Sequence, residues 1–343
     1  MILTLALAAC ASGNPTPIAT PEGSASAALA AGSILTEIAS EPLGQDNIET
    51  LSFSPDGQRL ALGAADGFVA IYQLQSGRAE PLAQKLHTSF VTGLAWSPDG
   101  SQILTAATDG SVRQSDSKTL QVIHSYTAYP QTYPAVAWSP DGSQFALAQG
   151  RDTIQVVDAG DGSLADTFDL PGSTRALWWL PSGEIIGSTN AGQVSFFTHG
   201  QRKAVRSFQP NPAHKAVNSL AVQPGSGLLA AGYDDGTIVL IDPTTAKQVR
   251  ELAKGRQIGT ISWSPNGQLL AASSVAFDLR LLDLQGSVVA HEDIGYDVNG
   301  TAWSPDGKLL AASTDAHDFR LWQVNPAQTS AKPAPAAPSY MGR

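Results

Sequence analysis

Short runs in which large and small apolar residues alternate recur along the chain, and a polar turn follows each run. Val91–Trp96 and Gln102–Ala107 are two such runs, and Ser97-Pro98-Asp99-Gly100 separates them. Proline presets φ at about −65°, aspartate tolerates the next turn position, and glycine accepts a positive φ, so the chain reverses here. Two further short runs follow, over residues 111–115 and 120–126. The pattern predicts a unit of four short antiparallel strands.

The polar turn recurs seven times at a nearly constant spacing. Four copies read Ser-Pro-Asp-Gly, a fifth reads Ser264-Pro265-Asn266-Gly267, and two are degenerate, Leu180-Pro181-Ser182-Gly183 and Gln223-Pro224-Gly225. Neighbouring prolines stand 40 to 43 residues apart, at Pro55, Pro98, Pro140, Pro181, Pro224, Pro265 and Pro305. A period of roughly 40–45 residues with four strands per unit is typical of a β-propeller. The sequence therefore predicts an all-β fold, a seven-bladed β-propeller of four-stranded antiparallel blades.

The seventh unit lacks its outer strand. Its third strand, over residues 318–323, runs directly into Asn325-Pro326, whereas residues 33–38 form an unassigned apolar run ahead of the first unit. We predict that this N-terminal strand completes the last blade, which closes the ring and removes exposed sheet edges. Deletion of residues 33–40 would then open the ring, and unchanged cooperative melting of that variant would contradict the prediction.

Aromatic residues precede most of the turns, and small residues end the second strands, as in Leu270-Ala271-Ala272-Ser273. Inner strands of a propeller crowd towards its axis, so small side chains fit between adjacent blades there. We predict that the aromatic side chains fill the wider gaps between blades rather than forming a surface on which a ligand stacks. These residues are Phe53, Trp96, Trp138, Trp179, Trp263 and Trp303.

Composition restricts the possible partners and chemistry. With 20 Lys and Arg against 30 Asp and Glu, the net charge is −10, which gives no general attraction to phosphate backbones, so no nucleic-acid partner is expected. The six histidines fall in different units without metal-ligand spacing, and nucleophile-elbow, Walker and Rossmann patterns are absent. We therefore expect no enzymatic activity, no metal and no cofactor, although a propeller can also assemble a site from distant blades.

The N-terminal segment resembles the signal of a bacterial lipoprotein. Leu7-Ala8-Ala9-Cys10 follows a short apolar run and is similar to a lipobox, which implies a signal segment over residues 1–9, a lipid on Cys10 and a location at the cell envelope. Two alternatives are an ordinary cleavage that leaves a soluble exported protein, and a cytoplasmic protein with an apolar terminus. Residues 10–32 and 325–343 read as a disordered tether and a Pro/Ala-rich tail around a propeller over residues 33–324.

Across residues 33–324 the units resemble WD repeats. They share the Ser-Pro-Asp-Gly turn, an Asp-Gly turn before the third strand such as Asp109-Gly110, and an aspartate at the end of the third strand. His87 stands where the family has its Gly-His motif, so the resemblance implies a structural pair between His87 and Asp109. Tryptophan ends a third strand only at Trp322, and the turn aspartate is missing from units three, four, six and seven. TolB-like repeats share the proline turn and are the alternative, usually with six blades.

The resemblance implies a binding face and a non-enzymatic role. Partners of WD-repeat propellers commonly dock on the loops that lead into the first strands and on those between the second and third strands. By repeat position these loops carry Asn47, Glu49, Phe90, Thr92, Arg175, Asn218, Asp234, Gln257, Asp297, Asn299 and Asp315. We expect a protein-interaction scaffold at the envelope that is monomeric on its own and binds unidentified proteins. The rival hypothesis is an exported propeller enzyme or small-ligand binder, lactonase-like or TolB-like, that uses the central channel.

A second candidate surface is a basic rim around the outer strands of units four and five. Such charges either discourage edge-to-edge pairing of strands or dock an anionic lipid or an acidic partner. The rim comprises Arg202, Lys203, Arg206, Lys215, Lys247, Arg250, Lys254 and Arg256.

Overall fold

Seven four-stranded antiparallel sheets make up the described part of the chain. The computed structural model describes residues 34–42, 46–74, 81–127, 135–148, 152–170, 172–209, 216–274 and 278–325. Within these ranges there are strands and turns but no helix, and hence no helix long and apolar enough to cross a membrane. The predicted all-β, seven-bladed propeller is confirmed.

Six blades are continuous in sequence and the seventh combines both ends of the propeller. Blade 1 contains β2 (Ile48–Phe53), β3 (Arg59–Ala64), β4 (Phe68–Gln73) and β5 (Leu82–Lys85); blade 2 contains β6 (Val91–Trp96), β7 (Gln102–Ala107), β8 (Ser111–Asp116) and β9 (Val122–Thr127); blade 3 contains β10 (Val136–Trp138), β11 (Gln144–Ala148), β12 (Thr153–Asp158) and β13 (Leu164–Asp169); blade 4 contains β14 (Thr174–Trp179), β15 (Ile185–Thr189), β16 (Val194–Phe197) and β17 (Arg206–Phe208); blade 5 contains β18 (Val217–Val222), β19 (Leu229–Tyr233), β20 (Ile238–Asp242) and β21 (Lys247–Ala253); blade 6 contains β22 (Ile258–Trp263), β23 (Leu270–Ser274), β24 (Asp278–Leu282) and β25 (Val288–Asp293); and blade 7 contains β26 (Val298–Trp303), β27 (Leu309–Thr314), β28 (Asp318–Val324) and β1 (Leu35–Pro42). The first strand of each continuous blade contacts the first strands of its two neighbours, so these strands surround the central channel.

The N-terminal strand closes the ring as predicted. β1 pairs antiparallel with β28, from Leu35 opposite Val324 to Pro42 opposite Asp318. The strand runs four residues beyond the predicted end at Ile38, past a bulge between Glu37 and Ala39. In the last blade β28 therefore pairs with a strand on each side, and backbone hydrogen bonds hold the two ends of the propeller together.

The Ser-Pro-Asp-Gly turn is held by its own side chains. In blade 2 the buried Ser97 hydroxyl donates to Asp99 Oδ1 at 2.6 Å, and Asp99 Oδ1 accepts the Ser101 N–H at 3.0 Å. Gly100 adopts a φ of 70°, a left-handed conformation that costs glycine little. The blade 6 turn keeps the same bonds with Asn266 in the aspartate position, so a side-chain carbonyl oxygen there is sufficient.

The core consists of seven apolar clusters, one at each junction between neighbouring blades. Small residues in the second strands allow this close packing, since a Cβ on Gly63 would stand 2.6 Å from Val91 Cγ1 of the next blade. The aromatic residues before the turns lie between blades, and all but Trp179 are buried. Indole N–H groups also join the blades, and Trp96 donates to the Ser52 carbonyl of blade 1 at 3.1 Å.

The predicted start of one outer strand was wrong by two residues. The strand predicted from Leu120 begins at Val122, because Leu120 turns the chain with a φ of 57° and donates its N–H to the Asp116 carbonyl at 2.8 Å. The proposed signal segment, residues 10–32 with Cys10, residues 326–343 and Lys215 lie outside the described residues.

Candidate binding face

The two sets of loops predicted to form a binding face lie at the same end of the propeller. Their backbones are joined directly, since the Ala65 N–H donates to the Asn47 carbonyl at 2.9 Å and the Thr108 N–H donates to the Phe90 carbonyl at 3.0 Å. The first strands run from this end to the Ser-Pro-Asp-Gly turns, so the face and the turns are at opposite ends of the channel.

Six of the eleven predicted binding residues line one cavity of about 560 Å³ at this end of the channel. They are Glu49, Thr92, Arg175, Asn218, Gln257 and Asn299. Outside this lining, in the surrounding loops, are Asn47, Phe90, Asp234, Asp297 and Asp315. Phe90 is the large apolar side chain of this set and is 46% exposed.

Two of the lining amides also bind the blades together. Asn218 donates through Nδ2 to the Ile258 carbonyl of blade 6 at 2.9 Å. Asn299 donates through Nδ2 to the Ile48 carbonyl of blade 1 at 3.1 Å and to Asp315 Oδ1 at 2.7 Å. These residues thus position the channel wall as well as line it.

The cavity is electrostatically uneven. Burial, with the nearby Asp315 charge as a second cause, raises the pKa of Glu49 in blade 1 to about 7. Burial and Asp315 also raise the pKa of Asp297 in blade 7. Arg175, the basic residue of the lining, belongs to blade 4 and therefore lies across the ring from this acidic group. A ligand in the cavity would meet the Glu49 carboxyl group on one side and the Arg175 guanidinium on the other, with Asp297 and Asp315 in the surrounding loops.

Repeat position did not single out Trp178, which also lines the cavity. Its side chain is 38% exposed and also borders a second cavity of about 590 Å³ at the turn end of the channel. The other six blades have only serine or alanine at this position, namely Ser52, Ala95, Ala137, Ala221, Ser262 and Ala302. An alignment of the seven units by their turns shows this difference, a tryptophan in one unit where the other six have a small residue.

His87 and Asp109 lie in one buried network. His87 Nδ1 is 3.4 Å from Asp109 Oδ2 and 2.9 Å from Ser111 Oγ, and its Nε2 is 2.8 Å from Thr105 Oγ1. Burial lowers the pKa of His87 to about 4 despite the opposing Asp109 charge. The imidazole is therefore neutral at neutral pH, and the network is a set of hydrogen bonds rather than an ion pair.

Several cations of the basic rim have partners within the propeller. Arg202 lies 2.9 Å from Asp169 Oδ1 of blade 3. Arg206 binds both carboxylate oxygens of Glu184 and the Pro243 carbonyl of blade 5. Lys254 lies 3.2 Å from Glu251, and Arg250 donates to the Leu284 carbonyl of blade 6 at 2.7 Å. These contacts join blades and offset charge, and docking on the rim stays a prediction.

The described residues contain no group of three or more His, Cys, Asp or Glu side chains arranged to hold a metal ion.

Two protein-family models match parts of the chain. The model "WD domain, G-beta repeat" matches residues 39–73, 81–116 and 282–323. The model "Anaphase-promoting complex subunit 4 WD40 domain" matches residues 177–264. These matches support a WD-repeat β-propeller.

Curated relatives are similar over parts of this propeller. The serine-threonine kinase receptor-associated protein of Mus musculus is 25% identical over 236 residues, which are 68% of this chain and 54% of that protein. Ribosome biogenesis protein BOP1 of Mus musculus is 33% identical over 22% of this chain and 12% of its own length. Small ribosomal subunit protein RACK1y of Oryza sativa subsp. japonica is 34% identical over 22% of both chains. The chain spans about half the length of the first of these relatives.

Proposed function

We propose that this WD-repeat propeller is a non-enzymatic protein-interaction scaffold whose partners dock on the loops around the channel cavity. The observation that carries this proposal is the convergence of six loop-end side chains on one cavity, with Phe90 exposed beside it. An exposed aromatic side chain next to polar groups on a rigid support is the composition of an interface anchor. The names of two similar proteins, a receptor-associated protein and a ribosomal subunit protein, also describe association with other macromolecules.

A photo-crosslinking amino acid at position 90 tests the proposal. We expect it to capture a specific protein from the native source, and we expect Arg175→Glu to abolish the capture because that change reverses the charge of one cavity wall. The matched control carries the same crosslinker at Leu164, which is 59% exposed on the outer strand β13. Equal capture from both positions, or capture that survives Arg175→Glu, would contradict docking on this face.

The acidic and basic sides of the cavity favour a second candidate function, the binding in the channel of an elongated ligand with an ammonium group at one end and a carboxylate at the other. A Glu49 carboxylate and the Arg175 guanidinium suit an ammonium group and a carboxylate respectively. A thermal-shift screen of short peptides, whose terminal ammonium and carboxylate groups are farther apart than those of a free amino acid, distinguishes this function from scaffolding. A ligand that raises the melting temperature of the wild type but not that of Glu49→Gln or Arg175→Gln would support this function. If no ligand raises the melting temperature, the small-ligand function is contradicted and the protein-docking proposal is unaffected.

Anchoring at a bacterial envelope through a lipid on Cys10 is a proposal from the sequence resemblance. The relatives named above are eukaryotic, and they provide no support for this location. Metabolic labelling with an alkyne fatty acid, compared with Cys10→Ala, tests it. Label on the wild type alone, together with loss of the variant from the membrane fraction, would support the anchor.

A further inference from the structure

One arginine of the propeller inserts between two blades beside the Ser-Pro-Asp-Gly turns. Arg59, the first residue of β3, reaches from blade 1 to blade 2 and donates to the Gly100 carbonyl at 2.9 Å. It also donates to Ser117 Oγ at 3.0 Å, and its guanidinium carbon lies 4.6 Å from the centre of the Trp96 ring. The junction thus presents an aromatic face, a hydroxyl and a turn carbonyl to a planar cation.

The next junction keeps the aromatic residue and the turn but differs at two positions, one of which is Ala159, which stands where the first junction has Ser117 and offers no hydroxyl. Between blades 2 and 3 the aromatic residue is Trp138 and the turn glycine is Gly142, but the residue corresponding to Arg59 is Gln102. The shorter Gln102 side chain is held by Gln114, whose Nε2 donates to Gln102 Oε1 at 2.6 Å. Both Gln102 and Trp138 line a cavity of about 700 Å³.

The turn carbonyl also accepts a side-chain donor at a third junction. Between blades 5 and 6, Gln223 Nε2 donates to the carbonyl of Gly267, the turn glycine of blade 6, at 2.7 Å. Two independent junctions therefore show that this carbonyl is directed at a donor from the preceding blade. The Gly142 carbonyl occupies the same turn position beside the cavity.

Carboxylates make the cavity between blades 2 and 3 strongly acidic. Asp99, Asp141 and Asp158 line it, and the residues described along its lining include no Lys or Arg. Hydrogen bonds from the hydroxyls of Ser97 and Ser139 hold the pKa values of Asp99 and Asp141 below their usual range, so both are ionised at neutral pH. At the junction of blades 1 and 2, by contrast, the Arg59 charge acts on the corresponding Asp56.

The corresponding cavity between blades 3 and 4 lacks this charge. It has a volume of about 360 Å³ and is lined by Gln144 and Trp179, but Asp141 is its only carboxylate among the described residues, and His199 is also present. The combination of an aromatic wall with three carboxylates is therefore found in the cavity between blades 2 and 3.

We propose that the cleft between blades 2 and 3 binds the guanidinium group of an arginine side chain presented by a protein partner. The group would stack against Trp138 and donate to the Gly142 carbonyl, as Arg59 does one junction earlier. The cleft is at the turn end of the propeller, so this site is separate from the channel face and does not depend on the function proposed for that face.

An NMR titration with a short peptide tests the site. The probe is acetyl-Gly-Arg-Gly-amide, the reporter is the indole N–H of Trp138, and the control peptide carries citrulline, which has the shape of arginine without its charge. We expect a saturable shift with the arginine peptide and at least a tenfold weaker response with citrulline. The indole N–H of Trp303, at the far junction between blades 6 and 7, should not shift.

Three variants locate the binding. Gln102→Arg should fill the cleft with a guanidinium from the chain itself and abolish the response of Trp138. Asp99→Asn and Asp141→Asn should each weaken binding about threefold, the size expected for one partly exposed charge, while keeping the turn that Asn266 supports in blade 6. Asp306→Asn in the blade 7 turn is the matched control and should bind as the wild type does.

Several outcomes would overturn the site. They are the absence of a saturable shift in the wild type, equal binding of the citrulline peptide, and unchanged binding by Gln102→Arg. If Gln102→Arg fails to fold, the aspartate variants decide, because equal affinity in Asp99→Asn, Asp141→Asn and Asp306→Asn would show that the cleft is not the binding site.

Discussion

The junctions on either side of blade 2 have the same backbone arrangement but differ in the side chains that fill them. Both have an indole N–H bonded to the preceding blade, from Trp96 to the Ser52 carbonyl and from Trp138 to the Ala95 carbonyl, each at 3.1 Å. The first junction buries a nine-residue apolar cluster and adds the Arg59 guanidinium. The second buries a five-residue cluster and leaves an acidic cleft. The turn and the indole bond maintain the ring, so the residue that opens the second strand is free to vary.

The largest expected effect is the loss of stability when either indole, that of Trp96 or that of Trp138, is removed. Trp96→Ala and Trp138→Ala should each lower the free energy of unfolding by about 4 kcal/mol, because each removes a buried aromatic side chain and leaves a cavity. Trp96→Ala should cost about 1 kcal/mol more, since Arg59 also loses the ring beneath it. Urea unfolding measures both values. Equal losses of unfolding free energy in the two variants would show that the stacking of Arg59 on the Trp96 ring contributes no stability.

Acid should weaken the first junction through His87, whose backbone N–H donates to the Gly67 carbonyl of blade 1 at 3.0 Å and whose imidazole contacts Ser111 and Thr105 of blade 2. Its folded-state pKa of about 4 is below the ordinary value of 6.5, so the unfolded chain binds more protons between these values. Stability is therefore present above pH 6.5 and is lost as the pH falls towards 4, by about 2–3 kcal/mol.

The variants His87→Asn and His291→Asn isolate this effect. Unfolding free energies measured from pH 7 to pH 4 should lose part of their slope in His87→Asn. The slope should persist in His291→Asn, whose histidine is 53% exposed. An unchanged slope in His87→Asn would assign the acid sensitivity to other groups.

Arg59→Gln should make the first junction resemble the second. We expect the free energy of unfolding to fall by about 1–2 kcal/mol, because the charged hydrogen bonds to Gly100 and Ser117 and the stacking on Trp96 are lost. Arg202→Gln is the matched control, since its ion pair is largely exposed and should contribute less than about 0.5 kcal/mol. Denaturant midpoints give the comparison, and equal losses would mean that Arg59 does not clamp the blades.

The smallest effect concerns the turn carboxylates. Hydrogen bonds within their own turns are the main causes that lower the pKa of both Asp56 and Asp99, and for Asp56 the Arg59 charge is a further, smaller cause. Asp56→Asn should therefore cost a few tenths of a kcal/mol more than Asp99→Asn. A double-mutant cycle with Arg59→Gln should show coupling for Asp56 and almost none for Asp99. Equal coupling would contradict the electrostatic difference between the junctions.

Sequence reasoning predicted the repeated parts of the fold well. The bounds of β6 and β7 coincide with the predicted runs, because proline, aspartate and glycine impose the same local turn wherever they occur. Ring closure was predictable because a missing strand at one end matched a spare strand at the other. The start of β9 was not, since the left-handed conformation of Leu120 depends on the Asp116 carbonyl.

The candidate sites were only partly predictable. Repeat position placed Glu49 and Arg175 on one loop face of the propeller, because the turn period assigns each residue to one end of a strand. It could not show that Arg59 crosses to the next blade while Gln102 is held by Gln114. Which neighbour a side chain reaches depends on its length and on the packing between blades, and a single sequence records neither.

The pairing of Leu35 with Val324 also determines when folding can finish. During synthesis β1 emerges among the first strands, yet its partner β28 is the last strand of the propeller to be made. Until then β1 is an unpaired edge, and the nascent chain is exposed to mispairing while the strands between β1 and β28 are made. Completion of the ring therefore requires the last strand of the propeller to have been made, and contacts this distant in sequence are slow to form. A stalled or shortened product would lack the pairing of β1 with β28 altogether. In a circular permutant that joins the two ends directly, β1 would follow β28 in the chain, and the two strands could pair as soon as both are made.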